Sequence, residues 1–145
     1  MVKMKIKNNY DFTYTVTFKS GVEFIFREIV PEDFYFYEFE VESSEQSELE
    51  SLFALYRRLI VQSTEDIADI PLKDYRQLQN WISEELLQGK LMTVENWLGL
   101  AFKLMKNQFT SDLTWFEQQP MSKILAMVEI QSRYVQSMRE EQQRK

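Results

Sequence analysis

The chain has 145 residues, the size of one domain, and 44% of them are apolar, which is enough to build a core. It contains no cysteine, which excludes disulfides and thiolate nucleophiles, and no histidine, which removes the side chain best suited to proton transfer near neutral pH. The net charge is −6, and no apolar run reaches the roughly 18 residues of a membrane span. We therefore expect no membrane association and no histidine- or cysteine-dependent enzyme.

The negative charge is concentrated in the first half of the chain. Residues 1–72 hold 7 Lys and Arg against 14 Asp and Glu, whereas residues 73–145 hold 10 against 9. No basic residue lies between Arg27 and Arg57. An acidic surface repels phosphate backbones, so we expect no nucleic-acid binding. The acidic stretch is either a solvated face or an electrostatic dock for a basic partner.

The first third of the chain predicts a β-hairpin. In YDFTYTVTF, apolar residues from Phe12 to Phe18 alternate with threonines, which is the period of a strand. KSG supplies the turn, in which Gly21 can adopt a positive φ. The second strand, VEFIFREIV, is apolar on both faces, so each face needs a cover. We expect the downstream helices to pack on this hairpin, because an isolated hairpin is marginal in water.

The segment PEDFYFYEFEV fits two structures. Pro31 followed by Glu32 and Asp33 is typical of the first turn of a helix, since acids favour the positive end of the helix dipole. The alternating apolar residues from Tyr35 to Val41 would also fit a strand. We favour the helix.

The remainder of the chain predicts further helices. Apolar residues recur at helical spacing in residues 49–60 and again in residues 75–86. Another helix begins after Thr93, whose hydroxyl suits an N-cap. TSDLTWFEQQ is a short turn or a one-turn helix, and Pro120 begins the last helix.

This order of elements predicts an α+β fold, in which an N-terminal antiparallel β-hairpin is followed by a bundle of four to five α-helices with a long C-terminal helix. We expect residues 1–120 to form the hairpin-plus-helices domain. Residues 121–145 would form the long C-terminal helix, partly packed on the domain and partly projecting, because a helix of this length extends beyond the core that the preceding residues can build.

No group of residues has the pattern of an active site. Neighbouring carboxylates such as Glu84 and Glu85 point about 100° apart on a helix, so they do not converge on one substrate. The acids of DIADIPLKD lack the glycine and the alternating oxygen ligands of a calcium loop. We expect no catalytic residues, no cofactor and no metal site. An enzyme would need a defined pocket that holds two converging carboxylates.

The last helix and the residues before it are the strongest candidates for partner binding. Trp115 and Phe116 lie in a stretch too short and polar to bury both rings by itself, so the last helix or a partner covers them. The last helix is rich in methionine, which adapts to variable surfaces, and its apolar residues suit a groove. The alternative is a bundle helix with a solvated tail. The candidate partner-binding residues are Trp115, Phe116, Met121, Met127, Tyr134, Val135 and Met138.

Three segments carry a family resemblance: YTVTFKSGVEFIFREIVPEDFYFYE, LFALYRRLIVQSTEDIADIPLKDYRQLQNWI and DLTWFEQQPMSKILAMVEIQSRY. In their order they resemble the small proteins encoded beside the tape-measure gene of tailed bacteriophages. These are tail assembly chaperones and, in contractile-tailed phages, related baseplate hub assembly proteins. The features in common are a hairpin with an SG turn, a helix followed by an aspartate that opens the next helix, and a Trp-aromatic pair before a proline and a long helix.

The resemblance implies a non-enzymatic role in phage tail or baseplate assembly, through hydrophobic helix-in-groove contacts with tape-measure, baseplate or tail proteins. Such a protein would form homo- or hetero-oligomers, in the host cytoplasm during assembly or in the virion tail or baseplate. Many of these chaperones divide the hairpin and helical parts across a programmed frameshift, whereas both lie in this chain, which favours the hub type or a single-product chaperone. The alternative function is a small accessory structural subunit of a large cellular or organellar complex.

Overall fold

A four-stranded antiparallel sheet forms the first part of the computed structural model, which describes residues 4–43, 47–106 and 112–144. The strands lie in the order β1 (Met4–Asn8), β2 (Thr13–Phe18), β3 (Glu23–Arg27) and β4 (Ile60–Ser63). The predicted hairpin is the β2–β3 pair, with Val16 opposite Phe24 and Gly21 at a φ of 94° in its turn. The sequence pattern does not predict β1 and β4, because they are short edge strands with few buried residues.

A helix packs on the face of the sheet that carries Phe26. The ring of Trp81 packs at 5.7 Å from that of the fully buried Phe26, measured between centroids. On the opposite face Ile25 is partly buried and lies across from Thr15 on β2. The expectation that both faces of β3 need a cover therefore stays a prediction for the Ile25 face.

Six α-helices lie in the part of the chain that the structure describes, and they confirm the predicted α+β class. The segment after Pro31 is helical, and Thr93 caps α4 by accepting the N–H of Asn96 at 3.1 Å. The predicted helix over residues 75–86 ends in a π-helical segment, Ile82–Leu86. The helices are α1 (Glu32–Ser43), α2 (Glu48–Leu59), α3 (Leu72–Trp81), α4 (Val94–Lys106), α5 (Leu113–Glu117) and α6 (Met121–Gln143).

The core lies where the covered face of the sheet meets the helices. Trp97 of α4 is fully buried, and its ring packs against that of Phe34 on α1 at a centroid distance of 6.3 Å. Each buried side chain of this size contributes about 1.5–3 kcal/mol of transfer free energy. None of the described helices is long and apolar enough to span a membrane. Other fully buried members are Phe24, Phe26, Leu55, Leu59, Leu78, Ile82, Leu104, Phe116, Met121 and Ile124.

A buried ion cluster fixes the start of α1 to the sheet and to α2. The carboxylate of Asp33 accepts two hydrogen bonds of 2.8 Å from Arg27, one of 2.6 Å from Arg58 Nε and one of 2.9 Å from the Val30 N–H. Burial alone would raise the pKa of Asp33, but these hydrogen bonds outweigh burial and hold the pKa below its ordinary value. This member of the acidic stretch is therefore neither solvated nor free to dock a partner.

Candidate functional site

Hydrogen bonds from the first turn of α6 hold the start of this helix against the end of β3. The Met121 N–H donates to the Ile29 carbonyl at 3.0 Å, and the Ser122 N–H donates to the buried carboxylate of Glu28. Lys90 Nζ lies 3.7 Å from the other oxygen of Glu28. A carboxylate at a helix N-terminus satisfies an otherwise unpaired N–H and interacts favourably with the helix dipole. These contacts fix where α6 leaves the sheet.

The first half of α6 belongs to the core. Met121 and Ile124 are fully buried, and Leu125, Met127 and Val128 are partly buried against the core cluster. Of the predicted partner-binding residues, Met121 is thus enclosed by the chain itself, and Met127 lies at the edge of the core. Neither offers a partner the large free surface that the later part of the helix does.

The two aromatic residues predicted to bind a partner, Trp115 and Phe116, both lie on the short helix α5 but differ in exposure. Phe116 is fully buried, whereas Trp115 keeps 38% of its surface exposed. Their rings meet edge to face at a centroid distance of 5.3 Å, and Lys123 Nζ lies 5.2 Å from the centre of the Trp115 ring. Trp115 is therefore available to a partner, and Phe116 is not.

The second half of α6 presents an apolar stripe to solvent, which we call the outer stripe. It consists of Ile130, Tyr134 and Met138, which are 58%, 65% and 41% exposed. Because they are spaced by four residues on a helix, they lie along one face. Adjoining exposed apolar side chains of this size are typical of a protein interaction site.

A groove of about 680 Å³ runs beside this half of α6 and reaches α4. Gln131 Nε2 donates to the carbonyl of Lys103 at 3.2 Å and so joins the two helices there. Val135 is partly buried and forms an apolar part of the groove, while Lys103 and Arg139 bring positive charge to it. Among the residues that the structure describes, Ser132 and Gln136 also line it.

Two exposed apolar residues, one on α6 and one on α4, are missing from the predicted set. Ile130 could have been found from the sequence, because it precedes Tyr134 by four residues and Met138 by eight. Phe102 is exposed on α4 and falls outside the inward stripe of that helix. The groove itself could not have been found, since it depends on how α4 and α6 are placed relative to each other.

The acidic side chains of the described residues serve local structure or face solvent. Glu84 and Glu85 are both exposed. Asp66 accepts the Ala68 N–H at 2.9 Å and Arg57 Nη2 at 3.1 Å, and these two hydrogen bonds lower its pKa. Within residues 4–43, 47–106 and 112–144, no three His, Cys, Asp or Glu side chains are grouped so that they could hold a metal ion.

Comparison with known proteins gives no relative for this fold. No family model matches the chain, and neither a curated protein nor a solved structure matches it.

Proposed function

We propose that this protein is a non-enzymatic assembly protein, which binds an amphipathic helix of a partner protein on the second half of α6. The observation that carries the proposal is the outer stripe on the second half of α6. Its three exposed side chains form an apolar seam along one face of α6, on which the apolar face of an amphipathic partner helix can pack.

The energy of this contact favours binding by several copies. Ile130, Tyr134 and Met138 are each about half exposed, so their complete burial would contribute roughly 1 kcal/mol each. Micromolar affinity corresponds to about −8 kcal/mol, and association itself costs several kcal/mol. One outer stripe is therefore too weak alone. A long helical partner that binds several copies would supply the missing affinity through avidity.

This requirement fits the role that the family resemblance implies. A phage tape-measure protein is a long, apolar helical chain that assembly chaperones coat in the host cytoplasm until the tail tube forms around it. We propose that this protein acts on such a partner, or in the baseplate hub, during assembly of a phage tail. An accessory structural subunit of a cellular complex would use the same surface for a different helix.

The test combines the genome with co-expression. A tape-measure gene should lie next to the gene for this protein, and its product should co-purify with the protein and become soluble in its presence. The variant Tyr134→Ser should lose this complex, while Val61→Ser, which changes an equally exposed apolar residue on β4, should keep it. Absence of a tape-measure gene from the neighbourhood would refute the phage role. Equal binding by both variants would refute the role of the outer stripe.

A further inference from the structure

The strand β1 lies at one edge of the sheet, where it pairs with β2 alone. The N–H of Asn9, the residue after the strand, donates to the Thr13 carbonyl at 3.1 Å and so points towards β2. Hydrogen-bonding sides alternate along an antiparallel strand, so the N–H and C=O of Lys7 also point towards β2 and those of Ile6 point away from the sheet. In the described part of the chain, no backbone hydrogen bond joins this outer side of β1 to another segment.

The opposite edge of the sheet, β4, is less suited to receive a further strand. Ile60 and Gln62 lie opposite consecutive residues of β3, so Val61 between them is the extra residue of a β-bulge. Bulges twist an edge strand and protect it from pairing with another chain. In β1 all five residues, Met4–Asn8, pair in one regular register. Its free side is therefore the regular edge of the sheet.

A pocket of about 360 Å³ lies where β1 meets the end of α3 and the π-helical segment after it. Ile6 and Asn8 line it from β1, and Trp81 and Leu86 line it from the helical side. Trp81 and Leu86 are buried, whereas Ile6 keeps 40% of its surface exposed. Residues directly opposite each other on neighbouring strands lie on the same face of a sheet. The residue opposite Ile6 on an added strand would therefore face this pocket.

The charges on the two faces of β1 differ in sign. Lys5 and Lys7 are exposed and alternate with Ile6, so they lie on the face of the sheet away from the pocket. Neither lysine forms an ion pair with a residue that the structure describes. On the pocket side the charge is negative, because the exposed Glu85 lines the pocket. On an added strand, the residues before and after the one that faces the pocket would lie opposite the two lysines.

We propose that β1 binds an extended segment of a partner protein as an antiparallel fifth strand, with an apolar residue towards the pocket and acidic residues opposite Lys5 and Lys7. In β-strand addition, main-chain hydrogen bonds provide affinity and side-chain pockets provide specificity. Opposite charges on directly opposed residues stabilise a strand pair, whereas Glu85 would repel an acidic residue that faces the pocket. The preferred segment therefore alternates acidic and apolar residues.

A second copy of this chain suits the edge less well than an acidic segment does. If two β1 strands paired antiparallel about Ile6, Lys5 of each copy would lie opposite Lys7 of the other. Like charges directly opposite each other destabilise a strand pair, and lysines on an edge strand protect it from such self-pairing. The two lysines therefore select a partner of opposite charge.

This site is separate from the surface proposed above and does not depend on it. The outer stripe belongs to α6, and no described residue of α6 lines the pocket beside β1. A failure to bind an acidic strand would therefore leave the role of the outer stripe untouched, and a failure of the outer stripe would leave the β1 site untouched.

The experiment is an NMR titration of the full chain with the capped peptide Thr-Glu-Val-Glu-Val-Glu-Thr. Saturable shifts are expected at the amides of Ile6 and Asn8 and at the indole of Trp81. Hydrogen exchange of the Ile6 amide should slow at least tenfold, while that of Lys7, which already points towards β2, should stay unchanged. The matched control peptide, with lysine in place of each glutamate, should bind at least tenfold more weakly. Absence of shifts at β1, or equal binding of the two peptides, would overturn the proposal.

Methylation of the peptide backbone tests the strand pairing itself. Because hydrogen-bonding sides alternate, the valines that face the pocket donate their N–H to β1 and the glutamates do not. N-methylation of both valines should therefore weaken binding at least tenfold, whereas N-methylation of two glutamates should leave the affinity close to that of the parent peptide. Equal losses for the two methylated peptides would show that the peptide does not bind as a strand and would overturn the proposal.

Charge reversal on the protein separates binding from folding. The double variant Lys5→Glu with Lys7→Glu should bind the lysine peptide at least tenfold more tightly than the acidic one. Its midpoint of thermal unfolding should equal that of the wild type, because both side chains are exposed. A double variant that still prefers the acidic peptide would overturn the proposal.

Variants at the two edges of the sheet locate the site. Ile6→Pro removes an N–H that points away from the sheet and keeps the ladder with β2, so it should abolish peptide binding. The control Val61→Ser, on β4, should bind the peptide like the wild type. Loss of binding in Val61→Ser alone would place the peptide on β4 and overturn the proposal. A dimer of the free chain in size-exclusion chromatography that Ile6→Pro abolishes would show a second copy on β1 and would also overturn it.

Discussion

Removal of the second half of α6 should separate folding from partner binding. Deletion of residues 131–145 removes the hydrogen bond from Gln131 to the Lys103 carbonyl and the partly buried side chain of Val135. The hydrogen bond contributes about 1 kcal/mol, and partial burial of a valine contributes about 1 kcal/mol. We therefore expect the free energy of unfolding to fall by about 2 kcal/mol, out of the roughly 5–15 kcal/mol typical of a domain.

The matched control lies in the first half of the same helix. Ile124 is fully buried, so Ile124→Ala should lower the free energy of unfolding by about 2–5 kcal/mol through the cavity it leaves. Urea unfolding followed by tryptophan fluorescence measures both variants, because the buried Trp97 reports on the core. If the truncated chain is unfolded, or is less stable than Ile124→Ala, then the second half of α6 belongs to the core and is not a free surface for a partner.

The same truncation tests binding on a chain that remains folded. It removes Tyr134 and Met138, two of the three residues of the outer stripe, together with most of the lining of the groove. The truncated protein should therefore fail to form a complex with the tape-measure product in size-exclusion chromatography. A complex that survives the deletion would place the binding surface elsewhere on the chain.

Two further predictions concern α5 and the ion cluster. Phe116→Ala should lower the free energy of unfolding by about 3–5 kcal/mol and Trp115→Ala by about 1 kcal/mol, since only Phe116 is fully buried; similar losses in urea unfolding would contradict this placement. Asp33→Asn should lower the free energy of unfolding by about 3 kcal/mol at neutral pH, because Arg27 and Arg58 lose their charged partner. As the folded pKa of Asp33 lies below its ordinary value of 3.8, the ionised carboxylate stabilises the fold above that pH, and this contribution is lost as the pH falls through the folded pKa. The difference in free energy of unfolding between Asp33→Asn and the wild type should therefore become smaller below pH 3.8. A difference that does not change with pH would contradict a stabilising role of the ionised Asp33.

The elements whose apolar residues repeat at a regular spacing within one segment were predictable from the sequence. The alternation before and after Gly21 predicts the β2–β3 hairpin, and the helical spacing of apolar residues predicts α2, α3 and α4. Pro31 and the acids after it favoured a helix over a strand for this segment, and the structure has α1 there. β1 and β4 could not be predicted from the sequence. A short edge strand forms only by pairing with a neighbouring strand, and its own few residues do not indicate which strand that is.

The candidate surface also has features that follow from the sequence and features that follow only from the tertiary structure. The chain itself determined that the last helix is long, apolar at its start and thinly apolar towards its end, since these features depend only on the spacing of residues along one helix. Tertiary structure alone decided that Trp115 faces outward while its neighbour Phe116 is buried, and that Ile6 shares a pocket with Trp81 and Leu86. The physical reason is that burial and pocket formation depend on contacts between segments that are distant in the chain, and no local pattern records which segments meet.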